Sequence, residues 1–127
     1  MMASSSLAGS VSYVVLHRSV CPSLERVSDD GRVRTTIAVD AGGYGMTVDQ
    51  QGNYIVAAVS SLLRVTASGS VNKIAATPIG SQWLCVAVDF GGNYIVGDNR
   101  RHSIWRVSPD GTTVEIVATY LVQKNDE

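Results

Sequence analysis

The densest run of chemistry-bearing side chains in this sequence of 127 residues is Asp98-Asn99-Arg100-Arg101-His102. Adjacent arginines offer forked N–H donors that match a carboxylate or a phosphate, and an imidazole titrates near neutral pH. Such a run could bind an anion. With Asp98, Arg101 and His102 converging on one cavity, it could also move a proton, as a small lyase or hydrolase must. An ordinary polar loop needs the same residues: an Asp to accept loop amides, and arginines that stay in solvent or reach the next element. Beyond this run the chemistry thins. The histidines are His17 and His102, and the glutamates are Glu25, Glu115 and Glu127. The chain has no phosphate-cradling glycine loop, no Gly-x-Ser-x-Gly elbow, no Cys or His pair at zinc spacing and no Asp-rich calcium loop. The residues therefore point to no catalytic group, no metal and no cofactor. Trp83 could be a stacking platform for a ligand or an anchor packed between elements.

The elements that must position these side chains recur. Residues 45–76 and 84–119 are copies of one phrase with a period of about 40 residues, in which Asp49 matches Asp89, Tyr54 matches Tyr94, Arg64 matches Arg106 and Gly69 matches Gly111. A more worn copy precedes them, with Ser12-Tyr13-Val14-Val15, Leu24-Glu25-Arg26-Val27 and the turn Asp29-Asp30-Gly31 at corresponding places. Each copy divides into short β-type runs, in the last copy 84–89, 93–97, 103–108 and 113–119. Gly91-Gly92, like Gln51-Gly52, suits a tight hairpin, and Pro109-Asp110-Gly111 suits a turn whose first corner needs the φ of proline and whose last needs glycine. The recurring Tyr54 and Tyr94 are expected to pack within the blades, and Asp49 and Asp89 to cap turns.

Four short antiparallel strands cannot bury both faces alone, so this period predicts an all-β fold of β-propeller blades. The chain reads as a single domain, 1–127: one blade over about 4–40, one over about 44–78, one over about 83–120, and a tail at 121–127. Closed propellers use roughly four to eight blades, and about three leave two open ends. A homodimer in which two such arcs close a ring of about six blades is the economical solution, because identical chains favour closed symmetry. Other closed oligomers, and a fragment of a longer propeller or an open arc, are the alternatives. In each case the loops between second and third strands, and those entering each blade, gather at one mouth of the channel. His17 and Arg18 would stand there, with Tyr44, Gln82, Trp83 and the 98–102 run, and of these His17, Tyr44, Trp83, Asp98, Asn99, Arg100, Arg101 and His102 are the candidate ligand-binding residues.

Composition narrows the partners. Hydrophobic residues make up 45%, charged residues 17%, and the net charge of −1 gives no general attraction to nucleic acid or to an anionic membrane. The first 15 residues lack a basic segment ahead of their apolar run, and no stretch reaches membrane-spanning length, so the cytoplasm is expected. Cys21 and Cys85 show no metal spacing and read as free thiols. The expected partner is a second copy of the chain, together with a protein or small-molecule ligand.

The run from Val96 to Gly111 resembles the NHL repeat, whose pattern sets an Asp and an Asn-His pair ahead of an Ile-x-x-Val strand and a Pro-Asp-Gly turn. Val86-Ala87-Val88-Asp89 with Gly92-Asn93 is similar to that family's opening strand. The middle copy keeps Val48-Asp49, Gly52-Asn53 and Arg64-Val65 but has Ala57-Ala58-Val59-Ser60 in place of the Asp-Asn cluster. The resemblance implies a half-propeller acting as a non-enzymatic binding or protein-interaction module, with Asp98 bonding loop amides. A more distant resemblance is to streptogramin lyases, which imply a His and an acid with a divalent metal at the channel mouth, and to lactonase-type propellers, which imply a carboxylate-rich metal site. Neither His17 nor His102 lies in a copy of the lyase motif. Glu25 and Glu115 read as outer-strand residues. The enzyme alternative is a lyase or hydrolase site assembled across the oligomer.

Overall fold

The computed structural model of the chain describes residues 2–5, 12–17, 23–39 and 43–120, with side chains over 24–38 and 43–120. Among the described residues the strands run in order: β1 (Met2–Ser5), β2 (Ser12–His17), β3 (Ser23–Ser28), β4 (Arg34–Val39), β5 (Gly45–Val48), β6 (Tyr54–Ala57), β7 (Ser61–Val65), β8 (Val71–Ala76), β9 (Trp83–Val88), β10 (Tyr94–Asp98), β11 (Ser103–Val107) and β12 (Val114–Thr119). They form three four-stranded sheets, each an antiparallel meander of consecutive strands. These are propeller blades. The strands lie within a residue or two of those expected from the repeat.

The turns form where their chemistry requires. Asp49 Oδ1 accepts the amides of Gln51 and Asn53, both at 2.9 Å, and Asp89 Oδ1 accepts those of Gly91 and Asn93 at 2.9 Å. The recurring acids are turn caps. Gly52 and Gly92 take φ of 82° and 81°, which a side chain would strain. Every third strand carries a bulge against the fourth, after Leu24, Leu62 and Ile104, so the repeat extends to its irregularities.

First strands stand side by side at the centre, with β1 against β5 and β5 against β9. The core lies between blades. Leu24 and Ala38 of the first blade meet Met46, Tyr54, Val56, Leu63 and Val65 of the second. Ile55, Ala57, Leu62 and Ala75 of the second meet Trp83, Tyr94, Val96, Trp105 and Val107 of the third. Tyr54 and Tyr94 are accordingly buried. Arg64 crosses the second joint, its Nη2 donating to Tyr94 OH and to the Pro109 carbonyl, each at 2.8 Å. Among the described residues no helix is long and apolar enough to cross a membrane.

Candidate functional site

β10 delivers Asp98 to the mouth of the arc, and the connection 99–102 returns the chain to β11 beside the segment that enters the third blade. Asp98 continues the inward alternation of Tyr94 and Val96 along β10, and a register shift that skips Leu84 on β9 sets it opposite Trp83. Asp98 is fully buried. Its Oδ1 accepts the amides of Arg100, Arg101 and Gln82 at 3.0, 3.1 and 3.1 Å, and its Oδ2 accepts the Trp105 indole N–H at 2.9 Å. Burial acts to raise the pKa of this carboxyl, but the Ser81 hydroxyl, the Gln82 and Arg101 amides and the Trp105 indole prevail and hold it below the usual carboxylate value. Asp98 is a charged staple joining the loop, the blade entry and the third strand.

Beside it the polar side chains bond to one another. The Asn99 amide N–H donates to the Gln82 carbonyl at 2.9 Å, Asn99 Nδ2 reaches Gln82 Oε1 at 3.3 Å, and Gln82 Nε2 reaches Tyr44 OH at 3.5 Å. A polar row therefore crosses from the second blade's entry to the third blade's loop. Arg100 is exposed beside it, and only its backbone N–H is drawn into the Asp98 network. This arrangement can donate hydrogen bonds and positive charge to an anionic group. It supplies no base.

Several expectations for the mouth are corrected. Asp98 faces inward rather than toward a ligand. Trp83 is 1% exposed and packs against Trp105, ring centroids 6.0 Å apart, so it offers no stacking platform. The Arg101 guanidinium donates to the Ile79 carbonyl at 2.7 Å. His102 adopts a φ of 49° and turns its ring onto Tyr120 just beyond the outermost strand, centroids 5.8 Å apart. Asp98, Arg101 and His102 therefore diverge. Tyr44, Asn99 and Arg100 stay at the mouth. His17 ends β2, and its side chain, like Arg18 and Cys21, lies outside the described residues. Cys85 is an exposed free thiol. Glu25 and Glu115 pair with Arg34 and Arg106 at 2.7 and 2.6 Å. Among the described residues no three His, Cys, Asp or Glu gather at one point.

Sequence reasoning missed the role of Tyr120, whose hydroxyl donates to the Asp98 carbonyl at 3.2 Å. It also missed a cleft of about 430 Å³ at the opposite end of the second joint, lined by Asp49, Asn53, Arg64 and Tyr94 among others. The repeat assigned Tyr94 to blade packing and Asp49 to a turn cap, and only the convergence of these residues across two blades reveals the cleft.

No protein-family model matches the sequence, and no curated protein matches it significantly. Among solved structures the chain is similar to virginiamycin B lyase from Staphylococcus aureus, a catalytically inactive variant with quinupristin. The TM-score is 0.71 at 16% identity, over 90% of this chain and 39% of that one. A streptogramin B lyase structure gives 0.63 at 17% identity, over 86% and 47%. A protein of unknown function from Bacteroides caccae gives 0.61 at 14%, over 84% and 41%. The chain spans less than half the length of each of these structures. At such identities the likeness is one of fold. The chain folds as β-propeller blades of the kind found in streptogramin B lyases.

Proposed function

We propose that the chain is a non-enzymatic binding and assembly module of NHL-like propeller type, acting as a ring closed by two copies and recognising an anionic group at the channel mouth. The observation that carries this reading is the commitment of Asp98. Both its oxygens are spent on the loop, the blade entry and the Trp105 indole, while Arg100 and Asn99 are exposed at the edge of the polar row that Gln82 and Tyr44 continue. An arginine flanked by amides and a phenol suits a carboxylate or phosphate. The reading assigns the chain to the cytoplasm, where the exposed Cys85 stays reduced.

The test is a calorimetric and NMR titration of the full chain with inorganic phosphate, citrate and a glutamate-rich peptide. Saturable binding of at least one, weakened about tenfold or more by Arg100→Gln, is the expected result. Failure of all three to bind, or binding indifferent to Arg100→Gln, overturns the mouth as the recognition surface. Consumption of quinupristin by the chain would overturn the non-enzymatic reading and favour a lyase.

A further inference from the structure

The two joints between blades repeat in detail, and each has a receiving and an incoming side. On the receiving side stand a third-strand leucine and its fourth-strand alanine partner, Leu24 with Ala38 and Leu62 with Ala75. From the incoming side a turn glycine closes on the receiving blade's outer strand. A Cβ on Gly69 would strike the Ile37 carbonyl, and one on Gly111 would strike the Ile74 carbonyl.

The third blade carries a receiving side that nothing among the described residues covers. Ile104 pairs with Ala118 in the same register, and Val117 stands where Ile37 and Ile74 stand. Ile104 and Val117 are 37% and 42% exposed. Cys85, Ile95, Gly97 and Ile104 line an apolar hollow of about 250 Å³ on this face.

The first blade carries the matching incoming side. Its turn reproduces that of the third blade. Ser28 Oγ donates to Asp30 Oδ1 at 2.7 Å as Ser108 Oγ does to Asp110 Oδ1 at 2.8 Å, and Gly31 and Gly111 share a φ of 77°. A Cβ on Gly31, however, would meet nothing within 4 Å. Tyr13 pairs with Val27 in the register of Tyr94 with Val107. Where the Pro109 carbonyl receives Arg64, the first blade has the carbonyl of Asp29, whose residue type adds a negative charge to the same turn. Glu25, at the place of Leu63 and Trp105, is already paired with Arg34 at 2.7 Å.

We infer that the open face of the third blade receives the first blade of a second copy, with Gly31 seated on the Val117 carbonyl and Arg106 directed to the Asp29 turn. Arg106 now holds Glu115 across an exposed pair at 2.6 Å, a contact that is inexpensive to exchange. Made twice about a two-fold axis, the joint closes the ring and leaves no blade face open. This rests on the ring reading above and adds its interface.

The experiment is light scattering coupled to size exclusion on the full chain across a dilution series, with circular dichroism to report folding. The expected mass is twice 13.5 kDa. Ile104→Lys, placed on a side chain already open to solvent in the single chain, yields a folded monomer. Arg106→Glu and Asp29→Arg each weaken association about tenfold, and together they restore it. A folded monomer at every concentration, leaving the face to a further blade or another protein, overturns both ring and interface. A ladder of growing oligomers overturns the closed pair. A dimer indifferent to Ile104→Lys and to both charge variants overturns this interface while leaving the ring reading intact.

Discussion

The receiving faces of the second and third blades are built from the same pattern and meet opposite fates. Ile55, Leu62 and Arg64 correspond to Ile95, Ile104 and Arg106. Leu62 is fully buried, whereas Ile104 is 37% exposed. Arg64 bridges to the next blade through Tyr94 and Pro109, whereas Arg106 turns back to Glu115. β6 is buried at every position and β10 only at alternate ones. A blade has no inside of its own: an apolar residue becomes core only when the neighbouring blade excludes water from it.

The comparison can be broken by substitution, measured by chemical denaturation of the single chain at high dilution. Leu62→Ala leaves a cavity in a closed joint and should cost about 2–5 kcal/mol, whereas Ile104→Ala should cost less than about 1 kcal/mol. Equal costs would mean that the third blade's face is covered within one chain. Gly111→Ala and Gly31→Ala both strain a left-handed backbone by about 1–2 kcal/mol. Gly111→Ala also drives a Cβ into the Ile74 carbonyl and should lose about 1–3 kcal/mol more. Arg64→Met removes a bridge between blades and should lose about 1–2 kcal/mol, against about 0–1 kcal/mol for Arg106→Met in its exposed pair.

The smallest effect expected is in acid. The Thr112 amide and the Ser108 and Thr112 hydroxyls bring the Asp110 carboxyl down to about 2, and the Arg32 amide and Ser28 hydroxyl lower Asp30. A depressed carboxyl stabilises the fold above its unfolded value, and that stability is lost as pH falls through the folded one. Stability followed from pH 5 to 2 should therefore fall less steeply in Asp110→Asn than in the native chain, by a small margin because the group is exposed. An unchanged slope would show that the turn does not hold this proton balance.

Much of the architecture was legible because β-hairpins are local. Asp49 and Asp89, Gly52 and Gly92, and the Pro109-Asp110-Gly111 turn act within a few residues of themselves, so spacing alone places the strands between them. The mouth was legible only in part. Tyr44, Asn99 and Arg100 stand beside Asp98 and Gln82 at that end of the blades. Whether Asp98 is held by the protein or left to a ligand depended on partners brought by Gln82 and Trp105, and whether Trp83 stacks or packs depended on Trp105 and the second blade. Composition carries neither fact. The divergence of Arg101 and His102 likewise follows from partners at Ile79 and Tyr120, which are distant in the sequence.

By itself, then, the sequence determined the repeat, the strands and their turns, because each depends on backbone preferences and hydrogen bonds spanning a handful of residues. Only the tertiary structure decided which carboxylate is spent inward, which arginine bridges blades and which apolar face is left open. Those outcomes depend on what neighbouring blades bring into contact, and in a repeat fold the same local phrase is buried or exposed according to whether a neighbour stands beside it.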